Sequence, residues 1–247
     1  MTVVDGQQHA LGLLAAASHD LRQPVQALGL FVTALHTASQ GGDVDARHVD
    51  EICVRMRASL RGMGRTLDTL LTLARLDPTC RMPLRPVCLQ EVLSSLADEF
   101  QVIAEDKKLD LRVAPTKLWA HSDQLLLHRI LGNLLSNALR YTRAGKVLVG
   151  CRRRGEEVEV QVWDTGIGIP EHQQSLVFEE RFRASNAGAV RDSSRGLGLG
   201  LAIVRRSATL IGARLELRSD PGRGSMFSVR LPLCKAAPQR RSSTRIE

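Results

Sequence analysis

A chain of 247 residues, 43% apolar and 24% charged, is long enough for one large or two small folded domains around a sizeable core. It has no run of 18 or more apolar residues and no basic-then-apolar start, so no stretch reads as a membrane span or a signal peptide. The net charge of +8 is not a nucleic-acid stripe: residues 1–76 balance to zero, and no aromatic-interleaved basic run occurs.

Residues 1–76 read as two long helices. Leu14, Leu21, Val25, Leu28, Val32 and Leu35 form an apolar seam with helical steps, and Ser18 falls in its gap. After Gly41-Gly42-Asp43 the pattern restarts at Ile52, Met56, Leu60, Met63, Leu67, Leu70 and Ala74. Both seams are narrow and heptad-like, so a helical hairpin is expected. Two helices enclose little core, so the hairpin is expected to pair with a second copy as a four-helix bundle.

Asp77-Pro78 ends the second helix, and 77–86 (DPTCRMPLRP) is a proline-rich connector. From 87 to 234 the texture is mixed. Helices are predicted over 88–106, 122–142, 171–180 and 197–212, and strands over 146–151, 157–163, 213–218 and 225–231. That alternation predicts an α+β sandwich, one helical layer on a mostly antiparallel sheet. Residues 235–247 are polar, carry four basic groups against one acidic, and are expected to be disordered. The +5 left in 77–234 suits an anionic small molecule such as a nucleotide. Cys53, Cys80, Cys88, Cys151 and Cys234 are odd in number and unpaired in spacing, which fits a reduced, cytoplasmic protein.

In Ser18-His19-Asp20-Leu21-Arg22-Gln23-Pro24, Ser18 belongs to the seam. His19 therefore lies about 100° off it, at the edge of the bundle. A neutral imidazole at an exposed edge is a competent nucleophile, and Asp20 is placed to orient it or take its proton. Pro24 within the helix removes a backbone bond at a cost of roughly 3 kcal/mol. Taken alone, a helical His beside an Asp is usually a solvated surface residue. The residues that follow change that weighting.

Four elements come in order. Asn133 and Asn137, four apart on one helix face, offer neutral amide oxygens to a phosphate-bridging Mg²⁺. Arg140 is one turn on, and Tyr141, the only tyrosine, can flank a purine ring. Asp164 ends a strand and can accept from an exocyclic amine, with Gly166 and Gly168 letting the backbone turn closely. Val177-Phe178-Glu179-Glu180-Arg181-Phe182-Arg183 opens a small-residue stretch that reads as a mobile lid. Gly196, Gly198 and Gly200 open a helix whose N–H groups can meet phosphates. No Gly-Lys-Ser/Thr closes that string, so it is not a P-loop, and a dinucleotide fold fits poorly.

These strings closely resemble those of the histidine kinases of two-component signalling, over about residues 9–233. SHDLRQP resembles the phosphoacceptor box and NLLSNALRYT the asparagine box. DTGIGIP and GLGLGL resemble the glycine boxes, and FEERFR the phenylalanine box. The resemblance implies a dimerisation and phosphotransfer hairpin (1–76), a linker (77–86) and a Bergerat (GHKL) ATP-binding domain (87–234). It implies His19 as phosphoacceptor assisted by Asp20, and Asn137 with Asn133 as Mg²⁺ or phosphate ligands. Arg140 would contact phosphate, Arg183 would belong to the nucleotide-binding set, Tyr141 would flank the nucleotide, and Asp164 would hold adenine. Glycines 166, 168, 196, 198 and 200 would shape pocket and lid. ATP and Mg²⁺ are the implied cofactors, and a response-regulator receiver domain the implied partner. Neither nucleic acid nor membrane contact is expected of this chain, although a longer protein can carry a membrane or other sensor.

Related Bergerat ATPases place a Glu, as a base for water, where this chain has Asn133, which favours transfer to His19 over hydrolysis. Gln23 stands where the family often has Thr or Asn implicated in dephosphorylating the partner, and this leaves phosphatase activity open. Two other readings stand beside the kinase. One is a nucleotide-binding scaffold whose His19 is not phosphorylated; the other is a Bergerat ATPase or serine-directed kinase.

Overall fold

The structure, a computed structural model, describes residues 25–37, 49–50, 52–54, 56–57, 59–60, 63–64, 83–179, 182 and 200–235. The chain divides into two units, residues 1–75 with 194–197 in one and the remainder in the other.

In the first unit, residues 25–37 are helical, as are the described positions between 49 and 64. The seam is split by burial. Leu28 and Leu35 are partly covered and Ile52 is buried, whereas Val25, Val32 and Leu60 are exposed, as are Leu30 and Val54 off the seam. Thr33 and Thr37 satisfy their hydroxyls on the carbonyls four residues back, Gly29 and Thr33, both at 3.0 Å. Seam positions 14, 21, 67, 70 and 74 and the Gly41-Gly42 turn lie outside the described residues.

The second unit runs β1 (Arg85–Cys88), α1 (Leu89–Asp106), β2 (Asp110–Val113), β3 (Trp119–Ser122), α2 (Gln124–Tyr141), β4 (Lys146–Arg154) and β5 (Glu157–Asp164). It continues with α3 (Glu171–Gln174), α4 (Gly200–Leu210), β6 (Arg214–Asp220) and β7 (Gly224–Cys234). The seven strands form one sheet in the order β1-β3-β7-β5-β4-β2, with β6 also paired to β7. Every pairing is antiparallel except β2 with β4.

Three expectations are corrected. The connector over 77–86 does not stay irregular to its end: Arg85 and Pro86 belong to β1, which pairs with β3. Proline is tolerated on this edge strand because no ladder bond is needed from its nitrogen. Strands β2 and β3 were not anticipated, being only four residues each. The helix expected over 171–180 stops at Gln174, and turns carry the chain to Glu179. The reason is tertiary: Val177 is buried, and the Phe178 ring meets Phe227 edge-on at 6.2 Å.

Alternation places Val158, Val160 and Val162 of β5 on one face with Val147, Val149, Phe227, Val229 and Leu231. Leu93, Leu96 and Phe100 of α1, Leu127, Ile130, Leu131, Leu134 and Leu135 of α2, and Val204 and Ala208 of α4 complete that core. The opposite sheet face has no helix over it among the described residues. There Glu159, with a side chain only 3% exposed, is roofed by guanidinium groups. Arg154 donates to it at 3.1 Å and Arg230 at 3.3 Å, while the Gln161 amide donates at 3.0 Å. Burial pushes the Glu159 carboxyl up, but the bonds from Arg154 and Arg230 outweigh it and hold the group below the usual carboxylate range.

Candidate functional site

Helix α2 starts on Asp123, whose carboxylate accepts from Leu126 N at 2.8 Å and so meets one orphan N–H of the first turn. Its leucine stripe is buried, which leaves the stripe of Arg129, Asn133, Asn137, Arg140 and Tyr141 half-buried rather than in the core. Asn133 Nδ2 donates back to Arg129 O at 2.9 Å, fixing which end of that amide faces away from the helix. Gly200, the first residue of α4, lies opposite: a β-carbon there would sit 3.3 Å from Asn133 Oδ1 and 4.0 Å from Asn137 Nδ2. The last glycine of the second glycine box therefore meets both asparagines. The Arg140 guanidinium lies 5.9 Å from the centre of the Tyr141 ring.

Asp164 closes β5 in register with Ser225 of β7. Its Oδ1 accepts from Gly166 N at 2.8 Å and from Ser225 N at 3.2 Å. Burial pushes this carboxyl above the usual range, partly offset by those two bonds. Among the described residues Oδ2 has no hydrogen-bond partner. Gly166 packs on the Tyr141 carbonyl, which accepts from Ile167 N at 3.2 Å, so the loop after β5 joins the end of α2. Gly168, at φ +65°, lies so close to the Asp220 carbonyl that a β-carbon would overlap it. Asn133, Asn137, Gly200, Asp164, Gly166, Gly168 and Tyr141 thus converge from α2, α4 and the β5 loop.

Three residues not singled out from sequence join this site. Ser219 Oγ accepts from Ile169 N at 2.8 Å, and Gln174 Nε2 donates to Ile169 O at 3.1 Å and Ser219 O at 2.7 Å. Ser225 N bonds Asp164. Ser219 and Ser225 stand at either end of SDPGRGS, between the strands predicted over 213–218 and 225–231. Farther along, Arg205 of α4 holds Glu179 with two bonds, at 2.6 and 3.2 Å. His19, Asp20, Gln23, Arg183, Gly196 and Gly198 lie outside the described residues.

Chemically, the arrangement offers a half-buried carboxylate acceptor and a pair of neutral amides beside a helix start. Among the described residues no group of three or more His, Cys, Asp or Glu could hold a metal ion. The amide oxygens fit a Mg²⁺ that keeps most of its water and takes its anionic ligands from phosphates, and they do not fit an all-protein cage.

Residues 122–235 match the family described as histidine kinase-, DNA gyrase B-, and HSP90-like ATPase. The chain is 33% identical over 222 residues to the sensor-like histidine kinase SenX3 of Mycobacterium tuberculosis, covering 89% of this chain and 53% of that protein. It is 33% identical over 230 residues to the sensor histidine kinase RppB of Synechocystis, covering 89% and 48%. The chain spans about half the length of these curated relatives. Among solved structures, the mycobacterial sensor histidine kinase MprB aligns with TM-score 0.54 at 29% identity, over 60% of this chain and 98% of that one. Full-length ShkA in complex with AMPPNP aligns with TM-score 0.61 at 23% identity, over 90% and 46%, a likeness of fold.

Proposed function

We infer, for a chain that belongs to the sensor histidine kinases and carries the ATPase domain they share with DNA gyrase B and HSP90, that it binds ATP and transfers the γ-phosphoryl group to His19. The observation that carries the reading is Asp164. Two backbone N–H groups occupy its Oδ1, and Oδ2 is left as an acceptor for an exocyclic amine on a half-buried side chain.

Asn137 and Asn133 would hold Mg²⁺ through their amide oxygens, and the ion would screen phosphate charge during transfer. Arg140 and Arg183 would bind phosphate oxygens, and Tyr141 would lie along the nucleotide. Glycines 196, 198 and 200 would bring N–H groups to the phosphates, and Gly166 and Gly168 would shape the base end by letting its loop pack closely on Tyr141 and Asp220. At position 133 an amide, which cannot take a proton from water, speaks for transfer over hydrolysis. The acceptor is an imidazole nitrogen of His19, with Asp20 taking or orienting its proton, and Gln23 bears on any phosphatase activity. The bulk of catalysis is then positioning and charge neutralisation.

The domains proposed are the hairpin 1–76, a linker over 77–84, an ATP-binding domain from β1 at Arg85 to 234, and the basic tail 235–247. Exposed Leu30 (72%) and Leu60 (55%), with Val25, Val32 and Val54, support pairing of the hairpin with a second copy. A receiver domain is the proposed phosphoryl acceptor. A cytoplasmic setting fits the odd number and scattered spacing of the cysteines, and no described helix is long and apolar enough to cross a membrane.

The test is incubation of the chain with Mg²⁺ and γ-labelled ATP beside a His19→Gln variant. Acid-labile, base-stable label on the original chain alone is the expected result. Phosphate release without labelled protein would move the reading to an ATPase, and nucleotide binding without either to a scaffold.

A further inference from the structure

Asp164, Ser225 and Ser219 form one row across three adjacent strands, since Asp164 pairs with Ser225 and Ser225 with Ser219. All three point to the side of the sheet that carries the helices, by alternation with Val162, Phe227 and Leu217. Ser219 has the fullest set of partners. Its Oγ accepts from Ile169 N at 2.8 Å, donates to Gly224 O at 3.0 Å, and lies 2.9 Å from Ser225 Oγ.

A hydroxyl has one proton and two lone pairs. With the Ser219 proton on Gly224 O, the bond to Ser225 must be donated by Ser225. The Ser225 proton is thereby turned toward β6, and what remains of that oxygen is acceptor. Beside it stands Asp164, an acceptor in its ionised state. Meanwhile Ser219 holds the N–H of Ile169 and Gln174 its carbonyl, which anchors the loop carrying Gly166 and Gly168.

We propose that Ser219 is a positioning residue of the base pocket: it pins the 166–170 loop and fixes the direction of the Ser225 hydroxyl. Asp164 Oδ2 and the Ser225 oxygen then stand as two acceptors side by side at the base end. An amine-bearing purine such as adenine complements that edge, and a purine with a carbonyl at the same position, such as guanine, meets oxygen against oxygen. This deepens the nucleotide reading above and rests on it.

The experiment measures binding of ADP and GDP by the full chain, by competition against a fluorescent ATP analogue with Mg²⁺ present. Ser219→Ala frees the Ser225 proton. It is expected to weaken ADP by roughly tenfold, the worth of one or two hydrogen bonds, and GDP by much less, so the ADP:GDP preference narrows. Ser219→Thr keeps the hydroxyl and is expected to restore the preference. Gln174→Ala loosens the same loop without touching the Ser225 hydroxyl, and is expected to weaken both nucleotides together. An unchanged ADP:GDP ratio in Ser219→Ala overturns the inference, as does an equal narrowing in Gln174→Ala. Absence of nucleotide binding by the original chain would instead remove the nucleotide reading itself.

Discussion

Gly200 and Asn133 face each other across the α4–α2 junction, with room for a hydrogen on the glycine and little more: a β-carbon would stand 3.3 Å from the amide oxygen. Replacing Gly200 by Val adds branches beyond that carbon and pushes the Asn133 amide from its place. The expected result is a loss of autophosphorylation of at least tenfold, on the order of 1.4 kcal/mol or more of lost positioning. Thermal unfolding, followed by the fluorescence of Trp119 and Trp163, is expected to move little, because Gly200 begins a helix and does not fill the core. A collapse in thermal stability would show instead that the glycine serves the fold.

Asp164→Asn separates binding from folding. The new amide oxygen still accepts from Gly166 N and Ser225 N, but its NH₂ meets the incoming amine donor to donor. Nucleotide affinity is expected to fall about 10- to 100-fold, the worth of a charge-assisted bond. In the original chain, affinity falls with acidification through a range above that of an ordinary aspartate, because burial raises this carboxyl and protonation removes the acceptor. For the fold the sign is reversed. A raised folded value means a contribution present at low pH and lost as pH rises through that value. The Asn variant is therefore expected to melt no lower than the original at neutral pH. Titration of a fluorescent nucleotide across pH, beside melting curves, checks both.

The placement of the asparagine pair, Arg140 and Tyr141 on one helix, and of Asp164 at a strand end, is legible in the sequence because each rests on local geometry. Long periodic elements, α1, α2 and β4 to β7, were legible for the same reason. Strands β1, β2 and β3 were not, since RPVC, DLRV and WAHS are too short to show a period and owe their state to their neighbours. Ser219 and Gln174 were hidden more deeply. Ser219 meets Ile169 from fifty positions away, and only the strand register brings it there.

Glu159→Gln tests the polar roof on the helix-free face. Arg154 bonds one carboxylate oxygen and Arg230 the other, so the single amide oxygen of Gln keeps one of these bonds, its NH₂ faces the other guanidinium, and the countercharge is lost; destabilisation of about 1–3 kcal/mol is expected. Because the native group is held below its usual range, its contribution is present above the unfolded value and lost as pH falls through the folded one. The gap between the two proteins in thermal melting therefore closes at acid pH. A gap that persists there would mean the roof acts through packing alone.

Cys151 is expected to resist alkylation in the folded chain. Burial pushes its thiol up to about 12, against a smaller opposing effect of a hydrogen bond with Thr116, so almost no thiolate exists at pH 8. Mass mapping after brief iodoacetamide treatment, with and without denaturant, checks this. Modification of Cys151 only in denaturant is the expected pattern.

Strand β7 is last along the chain among the described elements, yet it sits inside the sheet, laddered to β5, β6 and β3. The row that holds the base end of the site is stitched through it at Ser225. During synthesis no earlier segment can complete that sheet, so the ribosome must release residues up to about Leu231 before the unit closes. A stop codon a few residues upstream of Gly224 would leave β5 and β6 as bare edges, open to pairing with other chains. The ATP-binding unit is thus made all at once and late, and an incomplete copy is an aggregation hazard before it is a weak enzyme.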